Sequence, residues 1–354
     1  MEASLEETYS ARETEDSGTF GRRIMLQSLG AVGVGLAAGT VVTAANGDGN
    51  PTEIDSCTVI DEPGEYVLVD DVSPDQEDRV ACIEIAASDV TLRGGGHTVD
   101  GHGTDDVGFG IAVNPRSPQG GPILENVLVE DVTVTGLGVG VEYRNTRDGR
   151  ITGVSTPENA VGLRMAEDVM GLELDHSRAM DCNTGLFIGG DHDIGTMISN
   201  GEIHHNDFFG NNLGIHLGHA SSNNRFERNR IVSNGNGVFQ TTFAEENEFY
   251  HNHICLNEGY GYQNSDALWV DIIGEGDPDE GVEFGVLAMK NYWGASNGPS
   301  SFGDPEESFT DPETGRPADG DGDAISEGLD EGVANVRFDP FLESTLDEVG
   351  ANFD

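Results

Sequence analysis

The chain has 354 residues, enough for one large domain or two ordinary ones, yet only 36% are hydrophobic and 50 are glycine. Sixty-five acidic residues against 17 basic ones give a formal charge of −48, and a single lysine, Lys290, stands beside sixteen arginines. Acidity spread along the whole chain suits a protein that stays hydrated in concentrated salt, and it excludes nucleic acid and anionic lipid as partners.

The N-terminus opens with a polar, acidic stretch followed by "GRRIMLQSLGAVGVGLAAGTVVTAA". Arg22 and Arg23 ahead of a weakly apolar, glycine-rich run and small residues near Thr43–Ala45 resemble a twin-arginine export signal. We expect residues 1–45 to be removed and the folded protein to lie outside the cell, secreted or at its surface. The glycines make this run a poor membrane span, and no other stretch could cross a bilayer once the signal is gone. Four cysteines fit that compartment. Cys57 and Cys82 flank the first structured segment and are placed to pair as a staple, while Cys182 and Cys255 are expected to behave as small buried apolar residues.

Glycine–apolar pairs then recur: Gly110-Ile111, Gly140-Val141, Gly162-Leu163, Gly185-Leu186, Gly214-Ile215, Gly237-Val238 and Gly261-Tyr262. Their steps are 30, 22, 23, 29, 23 and 24 residues, a period in the low twenties with two insertions. Such a period, with short alternating apolar pieces and Gly/Asn corners, is the mark of a solenoid. Helical repeats need about thirty residues or more, so three short strands per coil remain: an all-β, right-handed parallel β-helix with coils of about 22–24 residues and capped ends. "NRFERNRIVSN" (224–234) repeats 23 positions later as "NEFYHNHICLN", which stacks Asn on Asn, Phe226 on Phe249 and Ile231 on Ile254. Stacked asparagines can bond up the stack, and asparagine tolerates the left-handed backbone of a sharp corner. The β-helix is expected over 46–290, interrupted by an acidic insertion at 264–285. A cap and acidic tail follow over 291–354, with "NYWGASNGPS" and "NVRFDPFL" suited to closing the end.

The PG-x-Y opening (Pro63, Gly64, Tyr66), "CIEIAASDVTLRGGGHTVDG", the Asn-x-apolar repeats and "NYWGASNGPS" together resemble the pectate-lyase-like parallel β-helix proteins. The likeness is nearest to their secreted haloarchaeal branch and to NosD-type periplasmic copper-binding relatives, and it covers about 54–345. It implies the fold. The superfamily holds polysaccharide lyases, hydrolases, epimerases and adhesins, so activity has to be argued from a site.

Aligning coils on Ile203, Ile231 and Ile254 puts Glu202, Arg230 and His253 in one column, with Arg228 and His251 beside it. In enzymes of this fold such a ribbon uses an arginine base and an acid partner, so these five are the candidate catalytic residues; a salt-bridged outer face is the plain alternative. Seven of ten histidines fall between 192 and 253, with "IHHND" and "IHLGHA" expected as near neighbours; copper is a weak expectation there, since no spacing alone makes a site. Asp191 and Asp193 read as a turn. Asp319, Asp321, Asp323 and Glu327 form a candidate calcium loop that departs from the EF-hand spacing. Trp269, Tyr260 and Tyr262 are candidate sugar-stacking aromatics. The sequence favours an exported protein that binds or presents at the cell surface or on acidic polysaccharide. A polysaccharide lyase or hydrolase is the second reading and a copper-handling accessory protein the third.

Overall fold

The structure, a computed structural model, describes residues 50–74, 80–103, 108–118, 120–190, 197–241, 244, 246–265, 286–303, 305–328 and 331–351. The export segment with Arg22 and Arg23, the Asp191–Asp193 turn, His192 and Trp269 lie outside these residues.

The glycine–apolar pairs set the register. Ile111, Val141, Leu163, Leu186, Ile215, Val238 and Tyr262 stand directly above one another on parallel neighbouring strands. All seven are fully buried. The glycine is required by close approach: a Cβ on Gly214 would lie 2.5 Å from the Gly237 carbonyl oxygen and 2.8 Å from Asn234 Nδ2.

Each coil adds strands to three parallel sheets of fourteen, eleven and seven strands, here the long, middle and short sheets. The chain is thus a right-handed parallel β-helix. Alternation sends every second side chain into the tube. Phe226 stacks on Phe249 with ring centroids 4.2 Å apart, and Ile231 sits on Ile254. Among the described residues no helix is long and apolar enough to cross a membrane.

Corners interrupt the strand ladders and leave buried N–H groups that need acceptors. Asparagines from the next coil supply them. Asn206 donates from its backbone N–H and its Nδ2 to Asn229 Oδ1, both at 3.0 Å, and Asn229 does the same to Asn252, and Asn252 to Asn291. A second ladder runs Asn211, Asn234, Asn257 and ends on Asp323. These asparagines are buried, and the left-handed backbone expected of them falls elsewhere: on His205, Arg228, Ser233, His251, Leu256 and Lys290, each one residue earlier. The ladder side chain must turn inward, so the residue before it takes the bend.

The ends close as the sequence suggests, with one difference. Cys57 and Cys82 form a disulfide that ties adjacent strands of the first coils. Cys182 is buried, but Cys255 is only partly so. Trp293 and Phe338 are fully buried at the far end, with Phe341 packed against them. Segments within the expected cap still supply rungs: Gly322–Ile325 joins the long sheet and Val336–Arg337 the middle one.

Replacing Asn234 by alanine removes an acceptor used by two Asn211 donors and the Nδ2 donor to the Phe208 carbonyl. We expect a loss of about 3 kcal/mol, read as a lower urea midpoint at unchanged slope.

Candidate functional site

The five candidate catalytic residues do not form one ribbon. Arg230 and His253 share an outward column of the short sheet with Arg178 and Asp207. Glu202 belongs to the middle sheet, between Glu173 and Arg225. Arg228 and His251 occupy the corner between those two sheets, where His251 Nδ1 is 3.4 Å from Glu227 and Arg228 is 3.8 Å from Glu348. The C-terminal tail crosses this surface. Leu346 N–H donates to His253 Nε2 at 2.9 Å, and Gly350 N–H donates to the Arg228 carbonyl at 2.9 Å. Burial, and then Arg230, lower the His253 pKa, while burial raises that of Asp207 against the pull of Arg230. A column tied up by Arg230–Asp207 pairing at 2.9 Å and crossed by the tail has the character of a packed face.

The other candidates separate as well. Tyr262 points into the core and donates its hydroxyl to Gln240 Oε1 at 2.7 Å, so it cannot stack on a sugar; Tyr260 stacks on Phe302 at 3.8 Å. Asp323 caps an asparagine ladder, Asp321 bonds Asn297, and Glu327 accepts from the Gly332 N–H. Among the described residues no three His, Cys, Asp or Glu converge on a point that could hold a metal ion. The two histidine strings are on different faces. His204 and His205 lie at the middle-sheet corner beside His176, whereas His216 is on the long sheet.

A further site lies on the long sheet. The residue after each glycine–apolar pair faces outward on the long sheet, giving the column Ala112, Glu142, Arg164, Phe187, His216, Phe239 and Gln263, which Glu84 extends on the preceding strand. Its first half is charged yet enclosed. Arg164 Nη1 lies 3.1 Å from Glu142 Oε2, and Arg144 lies 3.1 Å from Glu167 and 3.5 Å from Glu142, with side-chain exposures of 8% or less throughout. Residues 114–118 pack against it: Asn114 bonds the Pro122 and Asn145 carbonyls, and Arg116 reaches back to Glu84 at 2.7 Å.

Its second half is aromatic and half-buried. Arg164 lies over the Phe187 ring at 5.7 Å, Phe187 meets His216 edge-on at 4.9 Å, and His216 meets Phe239 at 5.2 Å. A Cβ at Gly189 would lie 2.9 Å from Phe187 Cζ, so the glycine lets the ring lie across it. His216 as a whole is partly exposed, but its Nε2 is enclosed and has no hydrogen-bond partner among the described residues. The enclosed nitrogen governs titration, and burial pushes the imidazole down to about 4. The column therefore joins guanidinium donors, flat ring faces and a neutral imidazole in one line.

Fold and column define a parallel β-helix protein with an outward, partly enclosed strip. The family described as periplasmic copper-binding protein (NosD) matches residues 105–298, more than half of the chain, and the chain belongs to that family. No curated protein matches it in sequence. Among solved structures it is similar to the A-modules of the Azotobacter vinelandii mannuronan C-5 epimerases AlgE6 and AlgE4. Identity is 17% and 14%, TM-scores are 0.46 and 0.45, and coverage is 65% of this chain in both cases against 68% and 71% of theirs. A mutant of the periplasmic alginate epimerase AlgG is similar at 15% identity and TM-score 0.39, over 75% of this chain and 63% of that one. These likenesses concern the fold.

A folded-state pKa held below the unfolded value of about 6.5 means that the unfolded chain takes up its proton first. Stability contributed by neutral His216 is therefore complete above about pH 6.5 and is lost as pH falls toward about 4. Replacing His216 with phenylalanine should flatten that slope, measured as melting temperature against pH.

Proposed function

We propose that this chain is an extracytoplasmic β-helix protein that binds an acidic polysaccharide along the outer face of its long sheet. The family description as periplasmic and the Arg22–Arg23 segment support export by the twin-arginine route with removal of the signal. The charge of −48 supports a salt-rich, haloarchaeal setting. The single observation that carries the binding reading is the passage, within one column, from the enclosed Glu142–Arg164 pair to the half-buried rings of Phe187, His216 and Phe239. Ring faces stack on the apolar faces of sugars, and the Arg164 guanidinium, held by Glu142, sets a positive charge at the head of the strip.

Titration calorimetry with uronate oligosaccharides tests it. Phe187→Ala and Phe239→Ala should each weaken binding by about tenfold, as expected for loss of one stacking contact. Equal binding of a neutral glucan, or no effect of either change, would sink the proposal. Following unsaturated products and new reducing ends in the same mixtures separates binding from lyase or hydrolase action.

The family description, together with one distance, favours copper as a second reading. His204 Nδ1 and His205 Nδ1 are 3.0 Å apart, a separation two imidazoles can show on adjacent positions of one cupric ion. The described residues offer that pair and no cage, so copper here would be exchangeable, with its other positions left to solvent. Visible absorbance on copper titration should appear and be lost in His205→Ala; its absence in the parent rules the reading out.

A further inference from the structure

The corner between the middle and short sheets places a basic residue in five successive coils: His176, His205, Arg228, His251 and Lys290. Their neighbours Asp175, His204, Glu227 and Tyr250 are in direct register, and His251 N–H donates to the Lys290 carbonyl. His176 and His205 stack with parallel rings 5.3 Å apart. Every one of the five has a left-handed backbone, with φ between 46° and 58°. At other such corners the chain uses Asp89, Asn126, Asn200, Asn223 or glycine, which adopt this conformation at little cost, and in places Ser233, Glu246 or Leu256. In a chain with 17 lysines and arginines and ten histidines among 354 residues, five basic rungs in one column are not a chance run. The only lysine is one of them.

The column also works against stability, because like charges one above another repel. His205 feels it: burial first, then His204, His176 and Arg228, hold its pKa below the usual range against the pull of Glu227. Acids line the middle-sheet side. Asp175 lies 2.7 Å from His176, Glu173 lies 3.3 Å from His204, and Glu227 faces Arg228 and His251 from the middle sheet. On the other side stand Asp207, Arg230 and His253 of the short sheet and Glu348 of the tail. Lys290 is exposed at the end. The result is a narrow basic line with an acidic margin on the middle sheet and the tail along its short-sheet side.

We infer that this corner is a docking track for a linear polycarboxylate, an acidic polysaccharide chain laid along the tube axis. Rungs repeat at ~4.8 Å, so carboxylates on a thin extended chain can meet successive rungs. A wide, densely charged duplex would meet the acidic middle-sheet margin. In strong salt, where charges are screened beyond about 3 Å at 1 M, the track acts through direct contacts, and arginine, lysine and protonated histidine all donate hydrogen bonds as well as charge. The track is on a different side of the coil from the long-sheet strip and stands or falls without it.

The test uses the full chain carrying Phe187→Ala and Phe239→Ala, so that the strip makes no contribution, with a chelator present to remove metals. Polygalacturonate is the probe, with galacturonate monomer, neutral dextran and duplex DNA as comparisons. Binding should weaken as salt rises. In the triple variant Arg228→Asn, His251→Asn, Lys290→Asn, the new residues suit left-handed corners, so a melting temperature at or above the parent's is expected. That variant should lose about tenfold in affinity. Unchanged polygalacturonate affinity in the folded triple variant overturns the proposal. So does monomer binding as tight as polymer binding, or a preference for DNA.

Discussion

Every coil of this tube has the same unmet demand: backbone N–H groups at the corners are buried and belong to no strand ladder. The answer is a side chain from the coil beyond, Asn229 Oδ1 receiving two donors of Asn206, with Asn252 then receiving two of Asn229. That bond is satisfied only if the next asparagine arrives in register. The 23-residue step, the glycines that make room for the amide and the straight columns of outward side chains all follow from it. A residue's place in the repeat therefore decides which outer column it joins, and its chemistry is read along a column more than along the chain.

Electrostatics on the outer faces divides into two kinds. The middle sheet carries half-exposed pairs, such as Arg225 with Glu227, that contribute little to stability and serve hydration. The long sheet carries Glu142, Arg144, Arg164 and Glu167 in an enclosed set, where desolvation consumes most of what attraction returns. Well-packed apolar side chains would hold that face at least as well. The charges are better understood as fixing the position of the Arg164 guanidinium at the head of the aromatic strip.

Much of this was legible in the sequence. The seven glycine–apolar pairs identified the long sheet's inner column without error, and Cys57–Cys82 pairing followed from position. The outer site was not found because each unit contains two similar strings. "NRF" at 224–226 and "NRI" at 229–231 both read as asparagine, arginine, apolar, but Phe226 is in the middle sheet and Ile231 in the short one. Aligning Ile203 with Ile231 therefore crossed sheets and drew Glu202 into a column where it does not belong. The glycine pairs offered a safer anchor: one step beyond each of them lie Glu142, Arg164, Phe187, His216 and Phe239. The tail over His253 had no periodic signal to announce it, since a strap that crosses rungs leaves no repeat.

The asparagine ladders have a polarity. Each amide passes its donors toward the C-terminus and takes its acceptor role from the coil before, so the series must finish on a group that accepts without passing anything on. Asp323 does this for one ladder: its Oδ2 takes both the N–H and the Nδ2 of Asn257, and an ionised carboxylate offers no donor to a further coil. The tube thus has a chemical terminator as well as a packed plug. Another tube arriving end to end would find nothing to continue, which keeps a molecule built entirely of stackable rungs from growing into a fibre.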